Sequence, residues 1–181
     1  MNATEATRMH GAGALTGVER RFGEQEILVS KTDLAGRVTY ANRVFLRIAG
    51  YDEDEILGQA HSIIRHPDMP RCVFHFLWER IEAGHEVFAY VVNRASNGDH
   101  YWVLAHVTPT FNADGRIVGY HSNRRCPERA AIDAVAKIYA ALRAEEEQHD
   151  SRKAAIAAGR ELLDRTLADA GVTYDEFVFS L

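Results

Sequence analysis

Three long apolar runs joined by two short turn signals constrain the fold of this chain more than any other feature. The runs are residues 87–95, 101–111 and 116–125. Asn97-Gly98 joins the first pair and is a strong two-residue turn signal, because both residue types tolerate positive φ angles. Asn112-Ala113-Asp114-Gly115 joins the second pair. Strands connected by consecutive hairpins form an antiparallel sheet.

A shorter hairpin and several helical segments are predicted ahead of these runs. They are strands at 27–30 and 37–40, helices at 43–49 and 52–57, and a longer helix that starts at Pro70 and stops before Gly84. Asn42 lies directly before the first helix, where an N-cap belongs. Hairpins interrupted by helices imply the α+β class, with an antiparallel sheet covered by helices on one face.

Composition divides the chain into three zones. Residues 1–26 are polar and form an N-terminal extension, in which we expect a short helix around Leu15 to Phe22. Residues 27–126 hold the α+β domain. In residues 127–181, Ala, Glu and Arg dominate and apolar residues recur at helical spacing, which predicts a C-terminal helical extension.

Charge and composition exclude several classes of function. The formal net charge is -5 and Lys and Arg form no dense stretch, so we expect no nucleic-acid partner. No apolar run approaches the roughly 20 residues of a membrane span. Cys72 and Cys126 lack metal-site spacing and suit a reducing cytoplasm, where we place the protein. We find no nucleophile with a matched base, no phosphate-binding glycine loop and no metal motif, and therefore predict no enzymatic activity.

Two polar motifs carry the chemistry of the domain. Arg65-His66-Pro67-Asp68-Met69-Pro70 places a cation, an imidazole and a carboxylate in a loop bounded by prolines. Asn97-Gly98-Asp99-His100-Tyr101-Trp102 is a turn whose outgoing strand opens with aromatic residues. A polar loop set against a strand floor is one way to bind a flat, charged cofactor.

Together with Ala49-Gly50-Tyr51 and Asn93-Arg94, these motifs resemble the PAS sensor domains, and within them the flavin-binding PAS domain of bacterial aerotaxis receptors. The resemblance covers about residues 27–125. It implies a five-stranded antiparallel sheet of order two-one-five-four-three, with FAD rather than FMN bound noncovalently between sheet and helices. It also implies a sensor whose flavin reports redox state, oxygen or electron-transport activity to a chemotaxis-type or other signalling partner.

An FAD site needs an apolar slot for the isoalloxazine, amide groups for its pyrimidine edge and cationic or donor groups for the pyrophosphate. The candidate cofactor contacts are Asn42, Arg65, His66, Asp68, Trp78, Asn93 and Trp102. Arg65 can pair with phosphate as a bidentate fork, and His66 can donate to phosphate or stack on adenine. We expect no metal ligand among the histidines.

Each candidate also has a purely structural interpretation. An ion pair between Arg65 and Asp68 would hold the loop, or Asp68 alone does this structural work while its neighbours contact the ligand. Asn93 lies mid-strand, where polar residues are disfavoured, and faces either the flavin edge or solvent. Asn42 is a helix N-cap in any case, and the two tryptophans are also consistent with ordinary core positions.

Three features separate the chain from its relatives. Val87-Phe88-Ala89 replaces the aromatic-Ser-Gly entry into the third strand, which leaves the packing around the flavin open. The sequence carries no membrane anchor or chemotaxis signalling hairpin, so we expect either a stand-alone sensor or part of a longer receptor. Light-sensing flavin PAS domains have a cysteine in the short helix before the loop, where His61 stands here, and we therefore predict no covalent flavin photochemistry.

The C-terminal extension contains two apolar stripes at helical spacing. They are Ile132, Val135, Ile138, Tyr139 and Leu142, then Ile156, Leu162, Leu163 and Leu167. The stripes cover either a second subunit or the chain's own domain, and we favour a homodimer formed by helical packing. Residues 173–179 have an N-cap and an aromatic face that can dock at the same surface.

The function that follows is a cytoplasmic signalling sensor with FAD as its cofactor. The first alternative is a cofactor-free PAS module for dimerisation or protein interaction. A further alternative is a PAS oxygen sensor that binds haem.

Overall fold

A five-stranded antiparallel sheet forms the centre of the protein. A computed structural model of the chain describes residues 14–181. The strands are β1 (Leu28–Thr32), β2 (Val38–Ala41), β3 (Val87–Arg94), β4 (His100–Phe111) and β5 (Ile117–Arg125). Their order in the sheet is β2-β1-β5-β4-β3, which confirms the predicted order and the α+β class.

Glycine turns set the two long hairpins. Gly98 and Gly115 have φ angles of 94° and 74°, in the left-handed region that favours glycine. A Cβ atom at Gly98 would lie 2.1 Å from the carbonyl oxygen of Ala14, so the close approach of the N-terminal segment also requires glycine there. The hairpin predictions are confirmed, and β4 pairs with β3 on one side and β5 on the other.

Helices fill the connection between β2 and β3 and follow β5. Between the strands lie α1 (Arg43–Ala49), α2 (Glu53–Ile56), a 3₁₀ helix (His61–Ile64) and α3 (Arg71–Glu82); after β5 come α4 (Arg129–Glu146), α5 (Arg152–Ala170) and α6 (Tyr174–Ser180). The side chain of Asn42 accepts the backbone N–H of Phe45 at 2.9 Å, which confirms the predicted N-cap of α1. No helix in the described part of the chain is long and apolar enough to cross a membrane.

The segment before β1 differs from the sequence prediction. The short helix expected around Leu15 to Phe22 is not formed; Glu19 of this segment instead makes a parallel β-bridge with His100 at the start of β4. The guanidinium of Arg20 pairs with Asp99 at 2.9 Å. A short isolated helix is marginal, so these long-range contacts prevail over the local preference. The remainder of the predicted extension, residues 1–13, lies outside the described residues.

The C-terminal extension folds back onto its own domain. The hydroxyl of Tyr139 in α4 donates to the carbonyl of Tyr90 in β3 at 2.6 Å. Helix α5 packs on α3, and α6 packs on β3, where Phe179 stands edge-on to Phe88 with ring centroids 4.8 Å apart. Most residues of the two predicted stripes are buried in these contacts, namely Ile132, Val135, Tyr139, Leu142, Leu163 and Leu167. The single chain therefore shows the alternative in which the extension covers its own domain, and the homodimer stays a prediction.

Candidate ligand-binding site

A cavity of about 540 Å³ lies between the sheet and the helices that cover one of its faces. Four strands supply its floor, the 3₁₀ helix and α3 supply its roof, and the start of α5 closes one side. Its apolar wall includes Leu77, Ile81, Val91, Ala105 and Val107. The volume lies within the range of roughly 300–1,000 Å³ that is usual for small-molecule and cofactor sites. We call this space the main cavity.

Strand alternation decides which predicted contacts reach the main cavity. Val91 of β3 lines it, and Asn93, two positions further on, faces the same side of the sheet. In β4 the lining residue is Ala105, so Trp102 lies on the opposite face, where it stacks on Tyr139 with ring centroids 6.2 Å apart. Trp102 therefore packs against the C-terminal extension and does not line the main cavity. The predicted contact between Trp102 and the cofactor is not supported by this position.

Two of the predicted contacts, Arg65 and Trp78, line the main cavity. The guanidinium of Arg65 lies 4.4 Å from the ring centre of Phe74, a cation–π contact. Burial and, secondarily, the neighbouring charge of Arg152 lower the pKa of Arg65. Trp78 stands edge-on to Tyr120 with ring centroids 5.3 Å apart. The cavity thus has a cation and an aromatic wall, and the roles of Arg65 and Trp78 as cofactor contacts stay predictions.

Asn93 turns inward, as one of its two sequence interpretations expected. The residue is 3% exposed, and its Nδ2 atom has no hydrogen-bond partner among the described residues. Its backbone forms a β-bridge with Arg65, which ties the polar loop to the strand. A buried donor without a partner costs roughly 1–3 kcal/mol. Asn93 is therefore an unsatisfied donor on the cavity side of the sheet, although it is not one of the residues that line the main cavity.

The other predicted contacts have structural partners and lie outside the main cavity. Nδ1 of buried His66 accepts the backbone N–H of Asp68 at 3.1 Å. The carboxylate of Asp68 pairs with Arg143 of α4, so the ion pair with Arg65, one of its two structural interpretations, is not formed. The side chain of Asn42 caps α1 and also accepts from the backbone of Val29 at 3.0 Å. Asp68 consequently anchors the loop to the C-terminal extension.

A polar groove of about 660 Å³ extends the main cavity past the loop. Ser62, Arg65 and Arg71 line both spaces, so these residues mark the junction between them. Beyond the junction the groove passes His66 and Arg143. A ligand with a ring in the main cavity and a longer polar portion would cross the junction and approach the His66 imidazole.

A buried arginine that the sequence analysis did not single out faces the main cavity. Arg124 of β5 is 4% exposed, and both Nη1 and Nη2 donate to Oγ of Ser30 at 3.0 Å. Nη2 also lies 2.7 Å from Nε2 of His61. No carboxylate of the described chain pairs with this guanidinium, and burial lowers the pKa of Arg124 to about 10. The guanidinium also lies 5.4 Å from the ring centre of Phe45, a cation–π contact. A buried cation without a counter-charge is costly, and this one is placed where it can pair with an acceptor or anion in the main cavity.

The protonation state of His61 follows from this cluster. A guanidinium can only donate, so Nε2 of His61 accepts and the ring is neutral with its proton on Nδ1. Burial and the charge of Arg124 lower the pKa of His61 to about 3. Strand alternation was the sequence signal that could have found this cluster. Arg124 is in phase with Tyr120 and Ser122 along β5, and these two residues line the main cavity, so Arg124 lies on the inward side of the strand.

We expect the ligand-free protein to lose stability as pH falls below about 6.5, because buried His61 stays neutral while the unfolded chain takes up a proton. The folded pKa of about 3 lies below the unfolded value of 6.5, so the unfolded state binds more protons in this window and folding weakens with acid. The loss is roughly 2 kcal/mol between pH 6.5 and 5. Urea denaturation at several pH values measures it.

His61→Gln should flatten this pH dependence, whereas His121→Gln, at a half-buried position on the outer face, should leave most of it. Equal slopes in the His61 variant and the unmodified protein would show that another group carries the effect.

Comparisons with known proteins agree with the architecture. A family model described as PAS fold matches residues 38–124. The sheet order, the helical cover and this match together show that the region has the PAS fold, as the sequence motifs predicted. The dark structure of the blue-light photoreceptor Aureochrome1 LOV has the same fold, with a TM-score of 0.55 and 22% identity over 65% of this chain and 84% of that chain.

The chain is similar to part of the aerotaxis receptor of Escherichia coli (strain K12). The two are 42% identical over 123 residues, which is 68% of this chain and 24% of the receptor. The nitrogen fixation regulatory protein of Klebsiella pneumoniae is 29% identical over 119 residues, which is 63% of this chain and 24% of that protein. The chain thus spans about a quarter of the length of these relatives.

Proposed function

We propose that this PAS domain binds FAD noncovalently and reports redox state, oxygen or electron-transport activity to a signalling partner in the cytoplasm. The observation that carries the proposal is Arg124, a buried guanidinium that faces the main cavity and has no carboxylate partner in the described chain. Bound flavin supplies electron transfer, and its pyrimidine edge offers hydrogen-bond acceptors that gain negative charge on reduction. A fixed cation at that edge stabilises the charge.

The lining of the main cavity suits the flavin ring. Leu77, Ile81 and Val91 offer an apolar slot, and Trp78 offers an aromatic wall. Oγ of Ser122 and Oγ1 of Thr32 line the cavity, are buried and have no hydrogen-bond partner among the described residues. Buried polar atoms are normally paired, so these hydroxyls support a polar ligand edge in the cavity. The unpartnered amide of Asn93 lies on the same face of the sheet.

The polar groove supports FAD over a shorter flavin. A pyrophosphate leaving the main cavity would meet Arg65 at the junction, and an adenine beyond it would approach His66. Asp68 would then hold the loop in place through its ion pair with Arg143. Asn42 would fix the position of α1, and Trp102 would fix the position of the C-terminal extension.

A cofactor-free scaffold is the alternative function. It is disfavoured because burying Arg124 without a counter-charge in the described chain, and Ser122 Oγ and Thr32 Oγ1 without hydrogen-bond partners there, would then serve no purpose. The proposal includes no covalent bond between a cysteine and the flavin. Cys72 does not line the main cavity, and burial together with Glu146 raises the pKa of its thiol to about 12.

Reconstitution of the purified protein with FAD tests the proposal. We expect one FAD per chain that co-elutes on gel filtration and is released unmodified on denaturation. Arg65→Ala should weaken FAD binding at least tenfold, because a charge-assisted hydrogen bond contributes roughly 1.5–3 kcal/mol. The affinity for riboflavin, which lacks phosphate, should stay unchanged.

Arg43→Ala is the matched control, since Arg43 is exposed on α1 and does not line the main cavity. A protein that binds no flavin under any redox condition would contradict the proposal. Uptake of haem with a Soret band would favour the haem-binding alternative instead.

A further inference from the structure

The C-terminal extension contributes part of the ligand cavity. Arg152 and Ile156, from the first turns of α5, line the main cavity together with Arg65 and Arg71. These residues come from three separate parts of the chain: the polar loop, the start of α3 and the start of α5. The wall of the cavity is therefore complete only when α5 is docked on the domain.

Three arginines of the main cavity form a cationic rim, defined as Arg65 and Arg71, which also line the polar groove, and Arg152, which lines only the main cavity. None of the three side chains makes an ion pair with a carboxylate of the described chain. Their charges act on one another, because Arg152 and Arg71 both lower the pKa of Arg65. Glu146 opposes this effect, but its two carboxylate oxygens are already engaged by backbone N–H groups of α3. Glu79 and Glu82 also line the main cavity, and Glu147 and Asp150 line the groove; Glu79 is paired with Arg160 and Glu147 with Arg143. The three rim cations have no such partner in the described chain and fit a ligand with several negative charges, such as a diphosphate.

The same turn of α3 that supplies Arg71 also holds the extension in place. Oε2 and Oε1 of Glu146 accept the backbone N–H groups of Arg71 at 2.9 Å and Cys72 at 2.7 Å. Gly159 of α5 packs so closely that a Cβ atom there would lie 3.0 Å from Sγ of Cys72. The first turn of α3 thus contacts the ligand cavity on one side and the extension on the other.

We infer that Arg152 binds the diphosphate of the cavity's ligand together with Arg65 and Arg71, so that ligand binding and docking of α5 stabilise each other. The inference rests on the proposed FAD function and assigns the C-terminal extension as the element that responds to cofactor occupancy. Linkage makes the coupling reciprocal: the factor by which docked α5 raises ligand affinity is the factor by which the ligand favours docking.

Charge reversal at Arg152 tests the inference. Arg152→Glu places an acidic residue in the first turn of α5, which suits the helix dipole and keeps the helix intact. We expect FAD affinity to fall at least tenfold and riboflavin affinity to change less than twofold. Arg165→Glu is the matched control, because Arg165 is exposed on the same helix and does not line the cavity. It should change neither affinity.

Hydrogen exchange of α5 supplies a readout that is independent of affinity. FAD should slow exchange in the first turns of α5 at least fivefold in the unmodified protein and in the Arg165 variant, but less than twofold in the Arg152 variant. Equal FAD affinity and equal protection in the two variants would overturn the inference while leaving FAD binding intact.

Absence of FAD binding in the unmodified protein is a different result, because it removes the proposed function itself. In that case ADP is the probe, since it carries the same diphosphate. Arg152→Glu must then weaken ADP binding relative to Arg165→Glu, or the inference is overturned as well.

Discussion

Arg124→Met is expected to make the ligand-free protein more stable and to weaken its binding of FAD roughly 10- to 100-fold. The substitution removes a buried cation that has no carboxylate partner in the described chain, and Met fills most of the same volume. Oγ of Ser30 and Nε2 of His61 lie 3.2 Å apart and can satisfy each other after the change. Replacing buried charges by apolar side chains often stabilises a protein by about 1–4 kcal/mol.

The opposite signs of the two effects distinguish a ligand-binding role from a structural one. Urea denaturation of the ligand-free variant gives the free energy of unfolding, and titration with FAD gives the affinity. Arg125→Met is the control, because Arg125 is the exposed neighbour in the same strand. If Arg124→Met destabilised the ligand-free protein and left FAD binding unchanged, Arg124 would be a structural residue.

Glu146→Ala is expected to lower the free energy of unfolding by about 3 kcal/mol. Glu146 is 7% exposed, and its carboxylate accepts the first backbone N–H groups of α3 from the end of α4. Removing it leaves the buried N–H of Cys72 and the part-buried N–H of Arg71 without partners, and hydrogen bonds to a charged group contribute roughly 1.5–3 kcal/mol each. Glu146→Gln should give an intermediate loss, because only one of its two terminal atoms can accept a hydrogen bond.

Glu147→Ala is the neighbouring control, since Glu147 forms an exposed ion pair with Arg143 at 2.8 Å and such pairs contribute little. Chemical denaturation compares the three variants, and hydrogen exchange at the start of α3 locates the change. A loss in Glu146→Ala no larger than in Glu147→Ala would mean that water replaces the carboxylate and that this contact does not hold the extension.

The fold was predictable because its determinants are local. Hairpins depend on turn residues, and Gly98 and Gly115 adopt the left-handed conformation that their turns need. The N-cap at Asn42 depends on a hydrogen bond to a residue three positions away. The helix expected around Leu15 to Phe22 failed for the converse reason: this segment pairs with β4, some 80 residues later in the chain, and local preference carried no information about that contact.

The site was predictable only where a residue's direction followed from its own segment. Arg65 and Trp78 line the main cavity as expected, and Asn93 turns inward. Trp102 lies on the outer face instead, because the register between β3 and β4 sets its direction. Arg124 was missed since its burial depends on two flanking strands and on the 3₁₀ helix above it.

The amino-acid sequence by itself determined the order of strands and helices along the chain and the polar loop, since turns, caps and apolar periodicity act over a few residues. The PAS class followed from the resemblance of its motifs to that family. The tertiary structure alone decided three things: that Arg124 has no carboxylate partner in the described chain, that Asp68 pairs with Arg143, and that α5 completes the cavity wall. Each depends on side chains brought together from distant parts of the chain, and such contacts arise only when the elements pack.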